Sequence, residues 1–331
     1  MQSSFMIPNR RMFVAGASAV AFAGSVGTTK VVATPVKLMR GVYPIAQTPC
    51  RPDNTLDLPI LAAQVKFCTK AKVPGLVWPQ LASGWATLTE RDRIAGAEAL
   101  LAAAKDTSTE VVIGVQALHN DLAVSQRLAK HAAAHGASAI VSLPPEADSD
   151  AQTVDYYKAI GEATPLPLVI QTTGNMGTAI IGDVFNQVPT LACVKDEAGN
   201  PLTRIADIRA RTDGKISIFA GKAARTFLSE MDLGFDGSCP AFTLCDVLQR
   251  TWELWHAGKQ REAFDMDGRY AAFMTIPNVD PYGMIARGFF PEDEKIRIMP
   301  NREDTMASLT DADKRFIKRA YVEFLKSYAS T

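Results

Sequence analysis

The feature that most constrains the fold of this chain is a strict alternation of short apolar runs and longer amphipathic stretches, beginning near Gly41. The apolar runs are continuously apolar or small, a pattern that is typical of parallel strands covered by helices. Eight such runs occur over roughly 200 residues. They span residues 41–45, 75–78, 111–115, 138–142, 166–170, 191–194, 216–220 and 235–238.

The stretches between the runs predict helices, for example over residues 89–105, 123–135 and 226–233. Thr89 precedes acidic residues in the first of these and is a candidate N-cap, and Gly136 follows the second as a C-cap. Eight strands alternating with helices predict a closed (β/α)8 TIM barrel. A doubly wound sheet is the alternative, but the first run is not followed by a Gly-x-Gly-x-x-Gly motif. The residues beyond Ala257 predict a C-terminal helical extension.

Composition narrows the class of partner. The 331 residues carry 35 basic and 35 acidic side chains, so the formal net charge is zero. The charge therefore gives no electrostatic reason to expect nucleic acid or an acidic membrane as a partner. The five cysteines are odd in number and lack the spacing of a zinc site. We therefore expect three segments: an export signal over residues 1–34, the barrel over 35–258 and the extension over 259–331.

The amino-terminal segment has the layout of a twin-arginine export signal. Arg10 and Arg11 are followed by Phe13 and by an uncharged apolar run over residues 14–26. Small residues around Ala33 offer a cleavage point. The pattern predicts a periplasmic or otherwise exported protein without a stable membrane span after processing. An uncleaved anchor, or a chance pair of arginines, is the alternative.

One lysine occupies the position where a barrel places its chemistry. Catalytic groups in such barrels come from the carboxyl ends of strands, and Lys195 ends the sixth apolar run. An amine partly removed from water is favoured in its neutral, nucleophilic form and can condense with a ketone. The iminium so formed would draw electrons from the adjacent carbons. The alternative is a lysine that only pairs with Asp196 or Glu197, which follow it.

Several segments extend this prediction to a family. Residues 45–49 read Ile-Ala-Gln-Thr-Pro, and residues 86–93 read Ala-Thr-Leu-Thr-Glu-Arg-Asp-Arg. Residues 194–200 read Val-Lys-Asp-Glu-Ala-Gly-Asn, and the segments 219–221 and 234–237 follow in order. With these motifs the chain resembles the dihydrodipicolinate synthase and N-acetylneuraminate lyase family of class I aldolases. The resemblance implies a Schiff base on Lys195, no cofactor, a small 2-oxo acid as substrate and a homo-oligomer, either tetramer or dimer.

The chain departs from the family where the substrate binds. Residues 80–84 read Gln-Leu-Ala-Ser-Gly instead of Gly-Thr-Thr-Gly-Glu, and residues 171–174 read Gln-Thr-Thr-Gly instead of Tyr-Asn-x-Pro. The family's carboxylate-binding arginine falls at Asn175 or Met176. A glutamine at the tyrosine position resembles the branch that dehydrates 2-keto-3-deoxy sugar acids. We therefore expect an aldolase or dehydratase for a 2-oxo acid or a 2-keto-3-deoxy sugar acid. The alternatives are a dihydrodipicolinate synthase-like condensation and a degenerate barrel that binds an organic acid without catalysis.

Without the tyrosine, other groups must move protons. His119 and Ser83 are the candidates, because an imidazole exchanges protons near neutral pH and a hydroxyl can relay them. His119 could equally be a polar residue at a helix entry, and Ser83 could simply donate a hydrogen bond to a carboxylate. The predicted substrate-binding residues are Gln171, Thr172, Thr48, Lys222 and Gln80, although Lys222 could be a solvated loop lysine.

His131 and His135 have the helical i, i+4 spacing of a metal-binding pair. No acidic residue of the His-Glu-x-x-His kind accompanies them, and they lie at the end of a helix that should face away from the barrel mouth. We therefore expect surface or capping residues rather than ligands, and no metal site.

The export signal makes a direct prediction. Replacing Arg10 and Arg11 together with lysine should leave the precursor in the cytoplasm, because the translocation machinery reads the arginine pair. Fractionation of cells that express wild type and the double variant measures this. Periplasmic accumulation of the variant would contradict the assignment.

Overall fold

The computed structural model describes residues 38–300, 304 and 306–330. The predicted export signal over residues 1–34 lies outside the described residues and stays a prediction. Among the helices of the described part, none combines the length and apolar character needed to cross a membrane.

Eight parallel strands form the barrel, in the order β1-β9-β8-β7-β6-β5-β4-β3. Backbone hydrogen bonds of 2.9 Å join Val77 to Pro44 and Ala46, just beyond β1, and bring the two ends of this order together. A two-stranded antiparallel pair, β2 with β10, lies outside it. The strands are β1 (Gly41–Val42), β2 (Pro49–Cys50), β3 (Gly75–Trp78), β4 (Glu110–Gly114), β5 (Ala139–Ser142), β6 (Leu168–Gln171), β7 (Leu191–Asp196), β8 (Ser217–Ala220), β9 (Gly237–Ser238) and β10 (Lys295–Ile296).

Helices connect the barrel strands and continue beyond the last one, which confirms the predicted TIM barrel with a C-terminal helical extension. Thr89 caps α2 through a capping box with Asp92, as its sequence predicts. The helices are α1 (Leu58–Lys70), α2 (Glu90–Ala104), α3 (Leu122–Ala134), α4 (Asp150–Gly161), α5 (Thr178–Gln187), α6 (Ile205–Arg211), α7 (Phe227–Asp232), α8 (Cys245–His256), α9 (Gln260–Met274), α10 (Val279–Ala286) and α11 (Asp311–Ala320), and a π-helical turn follows over Tyr321–Leu325.

The strands bury both of their faces, because side chains alternate between the barrel interior and the layer of helices. In β4, Val112 belongs to the interior cluster, whereas its neighbours Val111 and Ile113 belong to the core under the helices. All five cysteines are buried and unpaired. The interior cluster consists of Met39, Tyr43, Ile45, Val77, Val112, Ala139, Val141, Val169, Cys193, Phe219 and Cys239.

A buried ion pair fastens the extension to the barrel. Arg287, at the end of α10, donates to both carboxylate oxygens of Asp246 on α8, at 2.9 and 2.8 Å. Its guanidinium also lies 5.2 Å from the ring centroid of Phe67 on α1 and 5.4 Å from that of Tyr321. The Ser330 N–H donates to Asp246 as well, at 2.6 Å. One guanidinium therefore links the last helices to α1 and α8.

This arrangement predicts a large loss of stability in Asp246→Ala. Both side chains of the pair are almost fully buried, at 2% and 1% exposure, so the variant leaves Arg287 as an uncompensated buried charge. We expect the free energy of unfolding to fall by about 3–5 kcal/mol in urea denaturation. The control is Glu262→Ala, which removes an exposed pair with Lys259 and should cost no more than about 1 kcal/mol. Equal losses in the two variants would contradict the role of the buried pair.

Candidate active site

Strand β7 directs two charged side chains to the mouth of the barrel. Cys193 belongs to the interior cluster, and Lys195 lies two residues later on the same face of the strand. Lys195 is 5% exposed, and its Nζ lies 3.3 Å from Oε2 of Glu197. The lysine that the sequence predicts as nucleophile thus lies at the barrel mouth, paired with a carboxylate.

Glu197 is held from three sides. Its Oε2 accepts a hydrogen bond from the side-chain amide of Gln171, which lies beside Lys195 in the β6–β7 register. Its Oε1 accepts from the backbone N–H of Lys222 at 2.8 Å. Burial alone would raise the pKa of Glu197, but the Lys195 charge and these hydrogen bonds together outweigh it and lower the pKa. Glu197 is therefore an ionised base in contact with the amine.

The position of this carboxylate depends on a glycine. A Cβ on Gly221 would come within 1.9 Å of Oε1 of Glu197, so any larger residue would displace the carboxylate.

Lys195 and Glu197 line a cavity of about 580 Å³ at the carboxyl ends of the strands. Cations and acids face each other across it: Lys222 and Arg225 are exposed, whereas Glu230 on α7 is buried. Burial raises the pKa of Glu230 to about 7, partly offset by a hydrogen bond from Thr226 and reinforced by Asp267. The described lining is Ile45, Leu81, Ala82, Lys195, Glu197, Gly199, Asn200, Pro201, Ala220, Gly221, Lys222, Ala223, Arg225, Thr226, Glu230, Cys239, Pro240, Ala241 and Asp280.

The hydroxyl of Thr172 makes structural hydrogen bonds. It donates to Asp196 at 2.6 Å and accepts from the N–H groups of Glu197 and Ala198 at 2.9 and 3.0 Å. Asp196 in turn binds Arg204 at 2.9 Å. Thr172 therefore shapes the turn that carries Glu197, and its predicted contact with substrate stays a prediction.

The hydroxyls of Ser83 and Thr48 are likewise engaged within the protein. Ser83 donates to the Ala46 carbonyl at 2.7 Å, and Thr48 donates to the Ser83 carbonyl at 2.7 Å. Thr48 also accepts from the Trp78 indole at 2.8 Å. Both residues are fully buried, so they build the floor of the loop after β3, and their predicted roles in catalysis and binding stay untested.

The remaining predicted residues lie in three different settings. His119 lies in an exposed turn with a φ of 55° and is outside the described lining of the cavity. Gln80 is buried, donates to Gln116 at 3.2 Å and leaves its own carbonyl oxygen without a partner among the described residues. Lys222 lines the cavity, and its amine donates to the Gly199 carbonyl.

Sequence reasoning missed two contributors to this site. Arg225 and Glu230 follow the seventh barrel strand, in a short turn and on a helix, where the strand-end rule does not select residues. Gly221 and Glu197 both belong to the motifs that carry the family resemblance. Nothing in the sequence shows that the carboxylate of Glu197 packs against Gly221. Charged residues in the turn and helix that follow each strand would have been the signal in the sequence that identifies Arg225 and Glu230.

Comparison with known proteins gives one family. The model of the dihydrodipicolinate synthetase family matches residues 38–279. A 4-hydroxy-tetrahydrodipicolinate synthase of Chlorobium luteolum is 24% identical over 278 residues, covering 79% of this chain and 92% of that protein. An L-2-keto-3-deoxyarabonate dehydratase of Azospirillum brasilense is 22% identical over 249 residues, covering 72% of this chain and 79% of that protein. The crystal structure of a dihydrodipicolinate synthase from Rhodopseudomonas palustris superposes with a TM-score of 0.74 at 22% identity, covering 87% and 99% of the two chains.

The raised pKa of Glu230 predicts a pH-dependent stability. Its pKa is about 7 in the folded protein and about 4.5 in the unfolded chain, so the folded state binds more protons between these values. The free energy of unfolding should fall as pH rises from about 4.5 to 7, by on the order of 2–3 kcal/mol from this group. Glu230→Gln, which stays neutral, should remove that component in denaturation curves at pH 5 and pH 8. Exposed Glu162→Gln is the control, and an unchanged pH slope in Glu230→Gln would contradict the assignment.

Proposed function

The chain belongs to the dihydrodipicolinate synthetase family, and from this premise we propose that it is a Schiff-base-forming lyase of the class I aldolase type. Its substrate is a 2-oxo acid or a 2-keto-3-deoxy sugar acid. The observation that carries the proposal is the buried amine of Lys195 on the cavity wall, 3.3 Å from the carboxylate of Glu197. At this distance Glu197 can accept the proton that the amine must lose before it attacks a ketone.

The first step is condensation. The protonated amine of Lys195 and the C2 ketone of the substrate give an iminium and one molecule of water. Glu197 takes one proton from the ammonium, so that the neutral amine attacks C2, and passes this proton to the alkoxide that forms. It then takes a second proton from the carbinolamine nitrogen and gives it to the hydroxyl, which leaves as water. The iminium then accepts the electron pair released at C3, from a C–H bond in a dehydratase or a C–C bond in an aldolase.

The cavity offers groups for the rest of such a substrate. Lys222 and Arg225 supply positive charge for the substrate carboxylate. The side-chain oxygen Oε1 of Gln171 is buried and has no hydrogen-bond partner among the described residues. Gln171 is outside the described lining of the cavity but lies beside Lys195 in the β6–β7 register, and in our proposal a substrate hydroxyl donates to this oxygen. Two observations favour the dehydration of a keto-deoxy sugar acid. One is this acceptor, and the other is the similarity to the Azospirillum protein, which is named an L-2-keto-3-deoxyarabonate dehydratase.

A second candidate is a barrel that binds an organic acid without turning it over. It is supported by the hydroxyls of Ser83, Thr48 and Thr172, which are all engaged in hydrogen bonds within the protein. Because these hydroxyls are engaged, an enzyme of this kind would have to transfer protons through its carboxylates. An enzyme would consume a 2-keto-3-deoxy acid in a coupled assay, whereas a binder would form a complex and leave the acid unchanged.

Borohydride trapping tests the nucleophile. With pyruvate or a 2-keto-3-deoxy acid and borohydride, wild type should gain one reduced adduct, which peptide mass spectrometry locates on Lys195. Lys195→Ala should lose the adduct completely, because no amine remains at the iminium position. An adduct on Lys222, or none with any 2-oxo acid tried, would overturn the proposal.

The role of Glu197 is tested through its glycine neighbour. Gly221→Ala places a methyl group where Oε1 of Glu197 lies, and should slow iminium formation by about 10²-fold or more, as should Glu197→Gln. The matched control is Gly177→Ala, because the φ of Gly177 is −71° and its new methyl would lie 4.0 Å from the backbone nitrogen of Ala179, in ordinary van der Waals contact. Trapping rates and melting temperatures are measured together. A Gly221→Ala protein that traps substrate at the wild-type rate would refute the base assignment.

A further inference from the structure

Two histidines and a glutamate meet on the outer face of the barrel. His131 and His135 are one turn apart near the end of α3, and Glu98 lies on the neighbouring helix α2. Helix ends on this side adjoin the amino ends of the strands, so the cluster lies at the opposite end of the barrel from Lys195. The sequence around the two histidines contains no acidic residue at the spacing of a His-Glu-x-x-His motif. Glu98, 33 residues before His131, supplies a carboxylate from the neighbouring helix instead.

The three side chains aim their ligand atoms at one point. Oε1 of Glu98 lies 3.1 Å from Nε2 of His131 and 3.6 Å from Nε2 of His135. All three ligand atoms lie within 4.8 Å of one another. Tetrahedral zinc with bonds of about 2.0–2.1 Å places its ligand atoms about 3.3 Å apart. The two observed glutamate–histidine distances lie on either side of that value.

The hydrogen bonding of His135 prepares it as a ligand. Its Nδ1 lies 2.9 Å from the backbone carbonyl of His131, and a carbonyl only accepts, so this nitrogen carries the proton. In the neutral ring the lone pair is then on Nε2, the atom that faces Glu98. A backbone carbonyl that fixes the tautomer in this way is the usual outer partner of metal-binding histidines.

We propose that Glu98, His131 and His135 bind a divalent transition-metal ion of the zinc class. Two imidazoles and one carboxylate suit zinc, cobalt or nickel better than calcium or magnesium, which prefer oxygen ligands alone. Glu98 and His135 are half-exposed, at 49% and 43%, so the ion can enter and solvent can fill the fourth position. The ion would tie α2 to α3 and stabilise this edge of the barrel.

The competing interpretation is an exposed ion pair between Glu98 and a protonated histidine, with two stacked imidazoles at a centroid distance of 4.0 Å. Such a pair would need no metal and would contribute little to stability. The two interpretations differ in whether the folded chain takes up zinc at a defined ratio.

The test is titration of the full chain, free of any histidine tag, with Zn²⁺ by calorimetry and with Co²⁺ by absorption spectroscopy. Wild type should bind one ion per chain, and the Co²⁺ spectrum should lack thiolate charge-transfer bands, which excludes the cysteines. His131→Ala, His135→Ala and Glu98→Gln should each weaken binding about 10-fold or more, and should lose the rise in melting temperature that Zn²⁺ gives wild type.

His119→Ala is the matched control, because this histidine is exposed and lies away from the cluster. It should bind Zn²⁺ with wild-type affinity. The proposal is overturned if wild type takes up no Zn²⁺, or if the three cluster variants bind as tightly as wild type. Borohydride trapping at Lys195 should be unchanged in the cluster variants, so this result and that of the proposed reaction are independent.

Discussion

The barrel mouth is organised around one electrostatic requirement, the pairing of the buried Lys195 ammonium with Glu197. A buried charge without a partner costs several kcal/mol, and here the partner is itself half-buried and needs support. That support comes from the Gln171 amide, the Lys222 N–H and the space left by Gly221. Asp196, between the two charged residues, points to the other face and binds Arg204 and Thr172. The turn after β7 is thereby fixed from both faces of the strand.

The fold could be predicted because its signal is local and repeated. Eight apolar runs correspond to the eight barrel strands, but their ends differ where the site begins. β6 continues to Gln171 and β7 to Asp196, one and two residues beyond the last apolar residue of each predicted run. Apolarity stops marking a strand where its side chains enter the cavity, although the backbone ladder continues. The β2–β10 pair joins segments far apart in sequence, and no local period reveals such a pairing.

The site could be predicted only as far as the strand-end rule reaches. That rule selects Lys195 and also Glu197, as a possible general base or a residue that only pairs with a neighbour, and the two-residue period of a strand places both on the same face. Polarity alone does not separate a substrate contact from a structural one, since the buried hydroxyls of Thr48 and Ser83 also bond to backbone carbonyls. The fit of Glu197 against Gly221 depends on the distance between two adjacent loops, which composition and spacing do not encode.

Gln171 stands where the family resemblance implies a tyrosine, so the proposed reaction needs other groups to move protons in the cavity. A phenol can both donate and accept a proton, whereas Glu197, with its lowered pKa, is ionised near neutral pH and can donate only a proton that it has first taken up. Glu230 lines the same cavity with a pKa of about 7, so it can hold a proton and release it at that pH. In the proposed lyase reaction these two carboxyl groups would divide acid and base work between them, because their surroundings move their pKa values in opposite directions. Such a division would give the proposed enzyme both halves of a proton relay, with Glu197 beside the amine and Glu230 on α7 at the wall of the same cavity.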